Sequence, residues 1–291
     1  MSFFDLPSPI HQLNSVFLQK HKVELWLKRD DLIHPEISGN KWRKLKYNVA
    51  DLEKQGIKKI LTFGGAYSNH IAATAASGKV LGIETVGVIR GDEGFENKTL
   101  HDAKENGMHL HFVSRLDYKL KNEVHFIQEL EHQFGTFYLI PEGGANELGV
   151  QGCEEIINEV DQSFDVIALS AGTGTTAAGI GRQIKNQQLH VFPALKGGGF
   201  ILDEMKHYCS KEQLQHVQLQ LDYHFGGYGK TKLEQLEFMS AFTNEYNVEL
   251  DKVYTSKMMF GLFDLIKKSY FKDGTKILAI HTGGLQGNSI Y

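Results

Sequence analysis

The segment Gly39-Asn40-Lys41-Trp42-Arg43-Lys44 sets one lysine at the mouth of a helix, directly after a Gly-Asn turn. An amine so placed is held by backbone on one side and by a helix start on the other. Imine formation with a carbonyl compound needs such a group: a primary amine, fixed in place, that loses its proton in a partly desolvated pocket. Lys41 is therefore the candidate nucleophile. It is also one of 31 Lys and Arg residues and lies in a basic run, so the assignment depends on what the rest of the chain brings to it.

Ser170-Ala171-Gly172-Thr173-Gly174-Thr175-Thr176-Ala177 follows an apolar run and opens a helix of small residues. Free amides at a helix N-terminus, the helix dipole and threonine hydroxyls together make an anion site. The string also matches a dinucleotide fingerprint, which would require an acidic residue closing the next strand to hold a ribose. That strand ends Phe192-Pro193-Ala194-Leu195-Lys196-Gly197, with no acid, which favours a phosphate cup over a nicotinamide site.

Gly64-Gly65-Ala66-Tyr67-Ser68-Asn69-His70 repeats the pattern of a strand ending in glycines and a helix opening on cap-type residues. Ser68 and Asn69 are explained by capping alone. Functionally, the amides there suit a substrate carboxylate and Asn69 suits a phenolic oxygen. His70 by itself fits a packed histidine as well as a substrate contact. Gly227-Tyr228-Gly229, Val253-Tyr254-Thr255-Ser256-Lys257 and His281-Thr282-Gly283-Gly284 complete the set. A tyrosine between glycines is poor core material and suits stacking or proton transfer in a cleft.

The elements that must position these groups alternate. Strands are expected over residues 57–63, 84–90, 109–113, 137–140, 165–170, 190–195, 217–223 and 276–281. Helices are expected over 69–81, 98–106, 118–134, 149–161, 175–185, 231–246 and 260–270. Alternating β and α elements argue for parallel sheet with helices on both faces. The 291 residues suit one large or two medium α/β domains, with no repeats or tethers. A net charge of −4 gives no support for nucleic-acid binding, and no apolar run reaches the length a membrane helix requires. The N-terminus lacks the pattern of a signal peptide. Two cysteines, Cys153 and Cys209, make neither a zinc spacing nor a disulfide framework, so no metal is expected and a reducing cytoplasm is the natural setting.

Taken in order, KRDD, GNKWRKL, GGAYSNH, SAGTGTT, GGYG, VYTSK and HTGG resemble the fold-type II enzymes that use pyridoxal 5'-phosphate (PLP). Within them the chain is most similar to the group of 1-aminocyclopropane-1-carboxylate (ACC) deaminase and D-cysteine desulfhydrase, from Lys28 to Gly284. The resemblance implies a two-domain α/β fold like that of the tryptophan synthase β-subunit, with open, twisted, mostly parallel sheets. Residues 1–43 and 152–291 would form a large PLP-binding domain and residues 44–151 a small one. It further implies that Lys41 carries the cofactor and that Asn69 bonds its phenolate oxygen. Gly172, Thr173, Gly174, Thr175 and Thr176 would hold the phosphate, and Thr255 or Thr282 would face the pyridine nitrogen. Ser68, Tyr228 and Tyr254 would act on the substrate, with Ser68, Asn69 and His70 binding it. A homodimer is implied as well.

The chain departs from the group at two positions. ACC deaminases carry glutamate after the second tyrosine, where this chain has Thr255, and the family more often has glutamine at Tyr67. A carboxylate at the ring nitrogen keeps it protonated and makes a strong electron sink, whereas a hydroxyl leaves a weaker one. Opening ACC, which has no α-proton, depends heavily on that sink. Loss of hydrosulfide from D-cysteine depends on it less. The residues therefore point to β-elimination yielding a 2-keto acid, ammonia and sulfide, with ACC deamination as the alternative. A racemase or dehydratase, and a non-catalytic PLP- or nucleotide-binding protein, are the more distant readings.

Overall fold

The structure, a computed structural model, describes residues 3–37 and 39–290, so Ser38 of the lysine-bearing turn lies outside it. Ten strands form two sheets. The first has six strands: β1 (Ile10–Leu13), β2 (Glu24–Lys28), β7 (Val166–Ala171), β8 (Gln188–Pro193), β9 (Val217–Leu219) and β10 (Lys276–Ile280), in the order β1-β2-β10-β7-β8-β9. All its neighbours run parallel except β1 with β2. The second is wholly parallel, ordered β5-β4-β3-β6, from β3 (Lys59–Gly65), β4 (Glu84–Arg90), β5 (His109–Val113) and β6 (Tyr138–Ile140).

Parallel strands connected by helices are covered on both faces, so their sequences read as near-continuous apolar runs. Every residue of β7 is buried. Val166 and Ala168 join a core with Leu25, Phe192 and Met258, while Ile167 and Leu169 face Ile180, Leu189 and Val191 on the other side. The same two-residue alternation splits Ile60 from Leu61 and Phe63 in β3. No helix among the described residues is long and apolar enough to cross a membrane.

Some expected boundaries moved for local reasons. The helix expected over 118–134 is a 3-10 turn, Asp117–Leu120, and a separate helix, Val124–Phe134. The helix expected from residue 260 instead spans Thr255–Lys267, because the Asp251 carboxylate accepts the amides of Val253, Tyr254 and Thr255 and so starts it earlier. The strand expected over 217–223 is limited to Val217–Leu219. Strands β1 and β2 were not foreseen, although β2 ends at Lys28, the first residue of KRDD.

The register of β2 against β10 pairs Lys28 with Ile280, and His281 N–H donates to the Lys28 carbonyl at 2.9 Å. The residues following both strands therefore emerge side by side. Helix Asn40–Lys54 docks onto them through a buried charge network. Arg43, fully buried, meets Asp30 through Nε and Nη2 at 2.6 and 2.8 Å and Glu159 through Nη1 and Nη2 at 2.9 Å each. Lys28, also fully buried, donates to Glu159 at 2.7 Å and to Ser8. Burial opposes the charge on Arg43, but Asp30 and Glu159 more than offset it. Glycine allows the closest approach: a Cβ at Gly152 of helix Glu147–Asn158 would overlap the Arg43 carbonyl oxygen. Arg43→Leu leaves Asp30 and Glu159 without their common partner. It should lower stability by about 3–5 kcal/mol, the cost of breaking a buried pair from one side. Urea unfolding measures this, and a loss below about 1 kcal/mol would show that the network is not needed to hold the helix.

Candidate active site

Helix Asn40–Lys54 starts from Gly39, whose φ of +66° favours glycine and whose Cβ, if present, would overlap the carbonyl oxygen of Thr282. Gly39 N–H donates to the Asp30 carbonyl at 2.8 Å and Asn40 N–H to the Thr282 carbonyl at 3.3 Å. Three segments distant in sequence thus fix the backbone on which Lys41 stands. Lys41 Nζ, half-buried, donates to Asn40 Oδ1 at 2.9 Å, and Asn40 Nδ2 donates to Thr176 Oγ1 at 2.9 Å. The amine is thereby linked to the first turn of helix Thr175–Gln183.

Burial, reinforced by the neighbouring charge of Lys44, brings the Lys41 pKa down to about 7; Cys153 and Asp251 pull weakly the other way. Lys44 was not singled out from the sequence, although residues three apart share a helix face. It is buried, its pKa is lowered by that burial, and its Nζ donates to the Gly143 carbonyl at 3.1 Å. Gly143 abuts Thr173: a Cβ there would lie 2.9 Å from Thr173 Cγ2. Lys44 therefore brings a cation to the threonine loop.

That loop, Gly172-Thr173-Gly174, joins β7 to helix Thr175–Gln183, whose N-cap Gly174 has φ +82° and makes no side-chain cap bond. The first amides of a helix have no acceptor within it, so they are available to an anion. Thr173 and Thr175 share a hydrogen bond of 3.0 Å between their hydroxyls, and Thr176 accepts from Asn40, which leaves its O–H hydrogen to donate. Unpaired helix amides, two hydroxyls and a buried ammonium suit a phosphate dianion. A lysine of depressed pKa joined to the same turn suits an aldehyde. These residues fit a phosphorylated aldehyde cofactor: residues 172–175 and Lys44 would hold the phosphate and Lys41 the carbonyl carbon.

Of the other predicted residues, Asn69 and Tyr228 line a cleft of about 600 Å³, together with Tyr67, Asp251 and Gly284. Ser68 caps helix Asn69–Leu81 by accepting from His70 and Ile71 amides at 3.2 and 3.3 Å, which leaves its O–H hydrogen free to donate. Asn69 Oδ1 accepts from Gln286 at 2.9 Å. His70 lies beneath this helix start, buried, and does not line the cleft. Thr62 gives its only hydroxyl hydrogen to the Ile140 carbonyl, so His70 Nε2–H donates to Thr62 and Nδ1 keeps a lone pair with no partner. Burial, then Lys41 and Lys44, keep the ring neutral.

Tyr254 packs its ring on the phosphate loop, where a Cβ at Gly172 would lie 3.1 Å from its Oη. Its pKa is pushed well up by burial and by a hydrogen bond with Tyr228, whose ring stands edge-on at 6.1 Å. The two threonines proposed for the ring nitrogen differ. Thr255 Oγ1 donates to Asp251 Oδ2 at 2.6 Å and accepts the Asp251 amide at 2.9 Å, so its hydroxyl serves the helix cap. Thr282 Oγ1 has only a 3.4 Å contact with Ser170 Oγ, at the tips of adjacent strands. Lys257, buried, donates to the carbonyls of Ala194, His224 and Gly227 at 3.2, 2.9 and 2.7 Å and so clamps the loop that carries Tyr228. Neither Asp251 nor Lys257 had been assigned a role from the sequence; their partners lie on other segments and leave no local pattern.

Residues 1–283 match the family model described as pyridoxal-phosphate dependent enzyme. The chain belongs to that family. Its cofactor is PLP. A Pyrococcus horikoshii protein provisionally named as an ACC deaminase is 33% identical over 92% of this chain and 87% of its own length. The mitochondrial bifunctional D-cysteine desulfhydrase/ACC deaminase of Arabidopsis thaliana is 31% identical over 98% of this chain and 78% of its own. Among solved structures, an ACC deaminase homologue superposes with a TM-score of 0.84 at 29% identity, covering 99% of this chain and 92% of that one. Serine racemase from Dictyostelium discoideum, at 18% identity and a TM-score of 0.69, shares the fold. The architecture is accordingly that of a fold-type II PLP enzyme.

The depressed amine gives a direct test. A neutral amine is the nucleophile, so Lys41 of the cofactor-free protein should gain reactivity as pH rises through about 7, far below the ordinary 10.5. Reductive trapping of pyridoxal, which has no phosphate, reports that midpoint without involving the phosphate loop. Lys44→Met should move the midpoint upward by removing a repelling charge. A midpoint near 10 in the unmodified protein would overturn the electrostatic reading.

Proposed function

We propose that the protein is a PLP-dependent lyase that removes a β-substituent from a small amino acid, of the D-cysteine desulfhydrase type. D-Cysteine and water would give pyruvate, ammonia and hydrogen sulfide. The observation that carries this reading is the state of Thr255. It replaces the glutamate of ACC deaminases, and its hydroxyl is spent on Asp251, whose two oxygens already accept four hydrogen bonds. With no carboxylate to spare, the ring nitrogen would meet the Thr282 hydroxyl. Bound PLP withdraws electrons from the substrate's Cα, and a hydroxyl partner leaves that pull adequate for a good leaving group.

The chain's own residues would divide the remaining work. The amides opening helix Asn69–Leu81 would hold the α-carboxylate, with Ser68 and Asn69 beside it. Lys41, with its pKa brought down to about 7, would take the α-proton once displaced, with Tyr254 or Tyr228 as the acid that serves the departing group. Residues 1–43 and 152–291 would move as the large domain against residues 44–151. A homodimer in the cytoplasm is the proposed setting. ACC deamination is the second reading, supported by the names of the relatives.

The purified protein should show an absorbance band that borohydride removes and that Lys41→Ala lacks. D-Cysteine should discharge the band and release sulfide with pyruvate, whereas ACC should give little 2-oxobutanoate. Turnover of ACC in preference to D-cysteine would replace the first reading with the second. Full activity in Lys41→Ala would overturn both.

A further inference from the structure

The charge on the cleft wall is one-sided. Arg115, in the turn after β5, lines the cleft together with Tyr67 and Asn69, as do Lys230 and Lys252 with Tyr228 and Val253. Asp251 is the only acidic residue in the lining, and four bonds from its own helix start occupy it. Among the described residues neither the Arg115 nor the Lys230 side chain has a hydrogen-bond or ion-pair partner. Lys252 reaches the Asn288 carbonyl at 3.2 Å. Two of the exposed aromatic side chains, Tyr67 and Tyr228, also line this cleft.

A zwitterionic amino acid such as D-cysteine or ACC carries no net charge and gains little from such a field. A substrate with a second negative charge gains from each cation. We infer that the cleft is built for an amino acid whose β-substituent is itself an oxyanion, held between Arg115 and Lys230. This rests on the β-elimination reading above. A side-chain carboxylate would also pair with arginine, but it does not leave with an electron pair. A phosphate does, and it matches the guanidinium fork. For O-phosphoserine the Cβ–O bond breaks with its electron pair passing to phosphate, the α-proton passes to the enzyme base, and water releases the nitrogen. The sum is O-phosphoserine and water to pyruvate, ammonium and hydrogen phosphate. Tyr67, edge-on to Phe95 at 5.9 Å, would form an apolar wall beside the leaving group where the group more often has an amide.

The test uses the PLP-loaded enzyme with both enantiomers of O-phosphoserine, serine and D-cysteine. Calorimetry should show O-phosphoserine binding at least about tenfold tighter than serine, with the advantage lost in Arg115→Gln and reduced in Lys230→Gln. The ratio of kcat/KM for O-phosphoserine over D-cysteine should fall about tenfold or more in Arg115→Gln, mainly through KM, and added salt should erode it in the unmodified enzyme. If D-cysteine is turned over while O-phosphoserine binds no better than serine, the inference is overturned and the lyase reading stands. If neither is turned over but the charge-dependent binding remains, the anion pocket stands and the lyase reading fails. An equal loss for both substrates in Arg115→Gln also overturns the inference, since the arginine would then serve the α-carboxylate common to them.

Discussion

The site depends on the buried pairing of Arg43 with Asp30 and Glu159. Residues two apart on a helix point to nearly opposite sides, so the helix that carries Lys41 is held on the side away from that lysine by Arg43. Asp30 belongs to the turn after β2 and Glu159 follows helix Glu147–Asn158, so one guanidinium ties the lysine helix to the end of strand β2 in the large sheet and to a neighbouring helix. A network of this kind contributes little net stability compared with apolar packing. What it supplies is register. With every charge matched by an opposite one, a slip of the helix by one residue would strand a charge in the interior.

The chemistry follows from placing two lysines on the free face of that helix. Burial disfavours the charge on both, and Lys44 adds its repulsion at Lys41, so positive charge here is strained until an anion arrives. A phosphate dianion beside Lys44 would relieve that strain. Cofactor affinity and amine reactivity thus have one electrostatic origin. His70 adds to the same region a buried neutral ring whose Nδ1 lone pair has no partner.

Much of this was legible in the chain. Strands β4 and β5 have the expected limits, and the lysine turn, threonine loop and strand-end glycines are all short local motifs. Where the sequence misled, a long-range or side-chain interaction had changed a local preference. Helix Thr255–Lys267 starts early because Asp251 caps it, and the same contact commits the Thr255 hydroxyl hydrogen to Asp251. His70 reads as part of a substrate motif, yet it lies under the helix against Thr62, because residues at a helix start turn to different sides within one turn.

By itself the sequence determined the alternating α/β plan, the family and the cofactor, and it located the lysine turn and the threonine loop, because each rests on backbone turns and helix starts encoded within a few residues. Tertiary structure alone decided which cations share the site with Lys41, which hydroxyl remains available, and what charge the cleft wall carries. Lys44 meets Gly143, Lys257 meets Gly227, and Arg115 shares a cleft with Lys230 across more than a hundred residues of chain. The physical reason is range. Turn geometry is set by neighbouring dihedrals, whereas a pKa, a field or a free hydroxyl is set by whatever the fold brings within a few ångströms.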